Sequence, residues 1–328
     1  MFFNDDDRAD LAVIDSGVQS IFAPFESSSE VTCGGLGDIP VPGKYIADAD
    51  NQLAVWNPSF GIWQICIGAA LLTQPWGSAG DIPVPGDFNG DTFTDYAVFR
   101  PATGEWWILF NSNGSVSEPF VSIQFGLPGD TPVVGDFDGD GTDDIAVFRA
   151  NLSSGGTEWY IRNSVSGATS VSLFGLIGDV PVVADYSGDG VSQIGVWRPS
   201  EGKWFYIDGG KVTETQFGLP GDIPSPADFD GVGKSQLLVY RPKNSRWFVQ
   251  GSSEGSATVE VALGQVGARV ANHSRSATVD RPAELDLNGD RLTDLGIVRV
   301  GNDNSLGFLF NTGTGAAHAD NGLEIGQG

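Results

Sequence analysis

Apolar residues along this chain come in short alternating runs, broken by glycine, proline, asparagine and aspartate. In one stretch Pro132-Val133-Val134 leads into an acidic segment and Asp144-Ile145-Ala146-Val147-Phe148-Arg149 leads out of it. Glu158-Trp159-Tyr160-Ile161 then follows a glycine-rich turn, and Val171-Ser172-Leu173-Phe174 alternates toward the next glycine. Short runs of period two between turn residues predict β-strands, and four in succession predict an antiparallel meander. No window carries a sustained helical period with caps.

The meander repeats. Its acidic loop begins at residues 2, 44, 87, 136, 185, 228 and 286, at intervals of 42 to 58 residues. An aromatic or apolar residue followed by glycine also recurs once per unit: Cys33-Gly34, Trp76-Gly77, Phe125-Gly126, Phe174-Gly175, Phe217-Gly218, Leu263-Gly264 and Ile325-Gly326. A four-stranded unit of this period is a propeller blade. The expectation is therefore an all-β chain: one seven-bladed β-propeller over residues 1–328, with four-stranded antiparallel blades and calcium loops between first and second strands.

The loops carry the chemistry. Calcium takes hard oxygen ligands at high coordination number. The fourth loop offers Asp136, Asp138, Asp140 and Asp144 at positions one, three, five and nine, with the Thr142 carbonyl at seven. The third offers Asp87, Asn89, Asp91 and Asp95 with the carbonyl of Phe93, and the seventh offers Asp286, Asn288, Asp290 and Asp294 with that of Leu292. Carboxylates so close repel one another unless a cation joins them. Weaker sites are expected in the first loop (Asn4, Asp6, Asp10) and in the fifth (Asp185, Ser187, Asp189), where Gln193 stands at position nine. The second loop, with Lys44 at position one, and the sixth, with Val232 and Gln236, are expected not to bind.

With these loops, and with Phe-Gly at 125, 174 and 217, the chain resembles FG-GAP or VCBS-type repeat proteins. It is similar to the propeller of integrin alpha subunits. It departs from the family's Gly-Ala-Pro, since Arg100, Arg198 and Arg241 each precede proline there. The resemblance covers essentially the whole chain; it implies the propeller and its calcium, and little about the ligand.

Two further residues recur. Arg100, Arg149, Arg198, Arg241 and Arg299 close second strands, and an aspartate of a Gly-Asp pair opens first strands; ion pairs between them are expected, with a ligand-binding arginine crown as the alternative. Trp63, Trp106, Trp159, Trp204 and Trp247 begin third strands, where blade packing is favoured over sugar-stacking platforms.

Composition narrows the setting. A net charge of −25 repels nucleic acid and anionic membranes, and no apolar stretch is long enough for a transmembrane helix, so no direct membrane insertion is expected. Weak calcium loops fill only where calcium is plentiful, which points outside the cell. Phe2-Phe3-Asn4-Asp5 lacks the basic start and apolar core of a signal peptide, and the strand entering the first loop would precede Phe2. The chain then reads as part of an exported protein whose parent continues upstream. Cys33 sits where other units hold Phe125 or Trp76, which favours a buried thiol over a disulfide to Cys66. Asn113, Asn151 and Asn272 open glycosylation sequons, which matter in a glycosylating host.

The turns between second and third strands, and the links between blades, share the face away from the calcium loops. Two insertions fall there, one holding Asn151 and Ser153 and one holding Arg269, His273 and Arg275, and they form the candidate recognition face. No serine-nucleophile elbow, zinc motif or phosphate loop is present. The expected role is a non-enzymatic extracellular recognition or scaffold module with structural calcium, binding a cell-surface or matrix protein or glycan. The alternatives are a polysaccharide lyase or hydrolase on a propeller, and a lectin with repeated sugar pockets.

Overall fold

In a computed structural model, most of residues 32–250 are described, with short breaks at 36, 48–51, 68–69, 117–119, 229–232 and 245. The strands Leu11–Asp15, Val18–Phe22, Val259–Ala262, Arg269–Val270, Leu295–Val300 and Ser305–Asn311 are described by their backbone.

Five four-stranded sheets follow one another along the chain, each with its strands in sequence order. The sheet of the third repeat pairs Ile82–Pro83, Tyr96–Arg100, Glu105–Leu109 and Val121–Gln124. That of the fourth pairs Thr131–Gly135, Asp144–Asn151, Gly156–Arg162 and Thr169–Leu176. All neighbours are antiparallel. These are blades, and the chain is an all-β propeller. Repeats two to six each form one. Strands of the first and seventh repeats share a sixth sheet, ordered Val18–Phe22, Leu11–Asp15, Ser305–Asn311, Leu295–Val300, Arg269–Val270, with Thr32–Gly35 also beside Ser305–Asn311.

The core lies between blades rather than inside one. Successive side chains of a strand point to opposite faces. In the second strand of the third blade, Ala97 and Phe99 pack with Trp106, Val134, Ile145 and Val147 toward the fourth blade. Tyr96 and Val98 pack with Val41, Trp56 and Trp63 toward the second. Both faces are buried, so the strand reads as a continuous apolar run rather than an alternation.

The once-per-blade tryptophans are part of this packing. Trp63, Trp106, Trp159 and Trp204 are fully buried. Each indole N–H donates to the carbonyl of the residue before the conserved-position glycine: Trp76, Phe125, Phe174 and Phe217, at 2.7 to 3.0 Å. The turn glycine that faces it across the blade is required by contact. A Cβ on the turn residue Gly104 (φ +74°) would come within 2.3 Å of the Gly126 backbone, so two backbones meet where no side chain fits.

One expectation is corrected. Cys33 and Cys66 are joined in a disulfide, with Cα atoms 5.9 Å apart, rather than holding free thiols. Cys33 does occupy the slot of Phe125, but that slot faces the third strand of the next blade, where Cys66 lies. A covalent link replaces the aromatic contact used between other blades.

Candidate metal centre and arginine clefts

Among the described residues, the five loops that start at 44, 87, 136, 185 and 228 are each tied at the neck. The small residue before position one bridges to position nine: Gly43 to Gln52, Gly86 to Asp95, Ala184 to Gln193 and Ala227 to Gln236. In the fourth loop Gly135 pairs with Asp144 in the same way.

The position-one carboxylate then gathers the loop backbone. Asp136 accepts from the amides of Gly139 (2.7 Å), Asp140 (3.2 Å) and Gly141 (2.9 Å). Asp87 accepts from Gly90 (2.7 Å), Asp91 (3.1 Å) and Thr92 (2.7 Å), the last with φ at 72°. Position nine holds the other side. Asp144 accepts from Phe137 (3.1 Å) and Ser164 (2.7 Å), and Asp95 from Phe88 (2.9 Å) and Asn111 (2.8 Å).

These contacts converge oxygens on one point. Carboxylate oxygens of Asp136, Asp138 and Asp144 lie within 4.8 Å of one another. The side-chain amide of Asn163 donates to Asp138 from the end of the third strand. Burial is the main cause that pushes Asp144 up to about 6, with Asp138 and Asp136 adding like charge. Asp95 is completely buried and is pushed up to about 8, again by burial first, with Asp87 and Asp91 contributing. Carboxyls crowded in this way suit a hard divalent cation, which would replace the missing solvation and cancel the repulsion. The residues present fit calcium: Asp136, Asp138, Asp140, Asp144 and the Thr142 carbonyl would hold it in the fourth loop, and the third loop, with Asp87, Asn89, Asp91 and Asp95, shares the bonds from positions one and nine to the loop backbone.

The fifth loop folds alike around Asp185, which accepts from Gly188 (2.6 Å) and Gly190 (2.7 Å). The first-loop residues Asn4, Asp6 and Asp10 and the seventh-loop residues Asp286, Asn288, Asp290, Leu292 and Asp294 lie outside the described residues, as do His273 and Arg275. Arg269 lies in a strand described by its backbone only.

Adjacent loops are also joined, through bonds that no residue pattern announces. The position-eight amides of Thr94, Asp143, Ser192 and Ser235 each donate, at 2.7 Å, to the position-one carbonyl of the preceding loop: Lys44, Asp87, Asp136 and Asp185.

At the opposite end of the blades, arginine closes the second strand. Arg100, Arg149, Arg198 and Arg241 each form a two-pronged pair with an aspartate that opens the first strand, namely Asp81, Asp130, Asp179 and Asp222. The aspartates are buried, while the arginine side chains keep 18–28% exposure. Each guanidinium also lies over an aromatic ring of the third strand, Trp107, Tyr160, Phe205 or Phe248, at 4.1 to 5.0 Å. These rings stand one residue after the recurring tryptophans and were not singled out from the sequence.

Two clefts carry more. Trp107 stacks on Phe120 (5.4 Å), which also meets Trp76 (5.3 Å) and is 40% exposed. Beside Arg149, Glu158 accepts from Tyr160 (2.8 Å) and from Asn151 (2.7 Å), and these bonds hold its carboxyl below the usual range. Asn151 also accepts from the Ser153 amide (3.0 Å), so both face residues belong to one capped turn.

Residues 87–147 are an FG-GAP-like repeat. No curated protein matches the chain. Among solved structures it is similar to a lectin of Agrocybe aegerita that specifically recognises non-reducing terminal N-acetylglucosamine. The identity is 13%, over 93% of this chain and 90% of that one, with a TM-score of 0.55. It is also similar to AofleA from Arthrobotrys oligospora, at 11% identity over 83% of this chain and 82% of that one, with a TM-score of 0.51. At such identity the likeness establishes the propeller fold.

Proposed function

We propose that this chain is a calcium-braced, non-enzymatic recognition module of the extracellular space, and that its ligand is carbohydrate. The observation that carries the reading is the arginine–aspartate–aromatic cleft repeated at the same place in four consecutive blades. A pyranose ring presents an apolar C–H face and a rim of hydroxyls. Each cluster offers an aromatic ring beside a partly exposed guanidinium that the buried aspartate holds in place, a polar group set against an apolar surface. The likeness to a sugar-recognising lectin supports a glycan over a protein ligand. Trp63, Trp106, Trp159 and Trp204 are fully buried, so the aromatic surface for sugar is that beside the arginines, where Phe120 of the Trp76–Trp107–Phe120 cluster is 40% exposed. Calcium holds the opposite rim and takes no part in contact with the ligand. All seven repeats belong to the ring in this reading.

The test is a glycan array probed with the calcium-loaded chain, followed by titration calorimetry with the best hit. Trp107→Ala and Tyr160→Ala are expected to weaken binding at least tenfold while the circular dichroism spectrum is unchanged. A blank array from folded protein would sink the reading. Release of shortened product from the bound glycan would replace it with the enzymatic one.

A further inference from the structure

The residue at position nine divides the loops into two kinds, and the difference lies in the direction of a hydrogen bond. In every loop whose second residue is described, position nine accepts from that residue's amide: Gln52 from Tyr45 (2.7 Å), Asp95 from Phe88, Asp144 from Phe137 and Gln193 from Tyr186 (2.6 Å). The second head-group atom differs. In Asp95 and Asp144 it is another oxygen, accepting from Asn111 and Ser164 at the end of the third strand. In Gln193 it is an amide nitrogen, and it turns back into the loop.

There it donates to the Val191 carbonyl at 2.7 Å, to Ser187 Oγ at 3.0 Å and, more weakly, to Asp189 Oδ1 at 3.4 Å. Those are the oxygens of positions seven, three and five, three of the groups that a cation would gather. In the sixth loop Gln236 Nε2 likewise donates to the position-seven carbonyl of Lys234, at 2.6 Å.

We propose that the Gln193 carboxamide fills the cation position of the fifth loop, so that this loop closes without metal although it keeps Asp185, Ser187 and Asp189. The amide presents N–H dipoles to oxygens that face Ca²⁺ in an aspartate loop, and it does so in any ionic medium. Calcium is confined to loops with aspartate at position nine. This rests on the calcium reading of the third and fourth loops and is separable from the glycan reading.

The experiment is calcium stoichiometry of the full chain by native mass spectrometry, with Asp189→Asn, Asp140→Asn and Gln193→Asp variants. Asp140→Asn is expected to lose or weaken one bound calcium, and Asp189→Asn to leave the count unchanged. Gln193→Asp keeps the acceptor for Tyr186 and is expected to gain one calcium. A lower count in Asp189→Asn would overturn the proposal, as would a folded Gln193→Asp with no gain. If Gln193→Asp does not fold, the Asp189→Asn count still decides. If no variant and no wild type holds calcium, the metal reading of all the loops fails instead.

Discussion

The amide of Asp143 donates to the carbonyl of Asp87 at 2.7 Å, and the amide of Asp87 donates back to the Asp143 carboxylate at 2.8 Å. This reciprocal clasp joins the third and fourth loops. Asp143 stands at position eight and is no metal ligand, yet it fixes the residue from which the neighbouring ligand set begins. Asp143→Ala removes one partner of a half-buried bond and is expected to cost about 1–2 kcal/mol. Asp143→Asn keeps an acceptor and relieves the like charge toward Asp87, so it should be close to neutral. Urea unfolding of both variants in calcium is the check; equal losses would mean that the bond is not what matters.

Calcium removal should lower stability by mass action. A site held at a hundredfold excess over its dissociation constant contributes about 2.7 kcal/mol, so the third and fourth loops together contribute roughly 5 kcal/mol. Thermal unfolding with chelator should show a lower midpoint, restored by calcium. Magnesium demands a small octahedral shell and should restore it poorly. An unchanged midpoint would leave the crowded carboxylates unexplained.

The second blade lacks the arginine. Asn57 stands in its place and donates to Asp38 at 2.6 Å, and Gln64 stands where other blades hold the stacking ring. Burial raises the Asp38 carboxyl from its usual value, with the Gly35 amide and Asn57 opposing it only in part. A folded-state value above the unfolded one means that Asp38's contribution is fully present below pH about 4 and is lost as pH rises through the folded value. Asn57→Arg should supply the pairing seen at Asp81 and Arg100. It should raise stability at neutral pH and flatten the pH dependence between acid and neutral solution. Its capping bonds to Ser59 and Phe60 are lost, so the gain should be modest, under about 1 kcal/mol net. A variant less stable at pH 7 than at pH 4, like the parent, would contradict this.

The same blade is tied to the preceding sheet by the disulfide. Cys33 and Cys66 close a loop of 33 residues, for which chain entropy predicts a contribution of about 3–4 kcal/mol. Cys33→Ser with Cys66→Ser should lower the urea midpoint by that measure, and a reducing agent should do the same to the parent only. A parent insensitive to reduction after full unfolding would indicate that the bond does not form in solution.

What was legible in the sequence follows from how local each interaction is. The Asp136–Asp144 ligand set sits within nine residues, so its spacing announces the loop before any fold is known. Arg149 follows Asp130 by 19 residues, the same separation as in the other three pairs, and an antiparallel meander brings them to one end. The Cys33–Cys66 bond crosses between blades, so no spacing within one blade reveals it. The loop-to-loop bonds use main-chain atoms, which every residue but proline possesses. Gln193 is visible at position nine, but the sequence does not tell which way its amide faces. At the two ends of the chain, the expected first and seventh blades contribute strands to one shared sheet, an association that neither repeat states alone.

The main-chain clasp between successive loops also has a consequence for repair and redesign. One arm of the joint reads only peptide groups, so Lys44 accepts from Thr94 as Asp87 does from Asp143, and the other arm needs only an acceptor at position eight, the Thr94 hydroxyl or the Asp143 carboxylate. A repeat that has lost its ligands still docks. The joint between loops is thus independent of the acidic side chain at position one, like a vertebral joint that is the same whatever rib it carries.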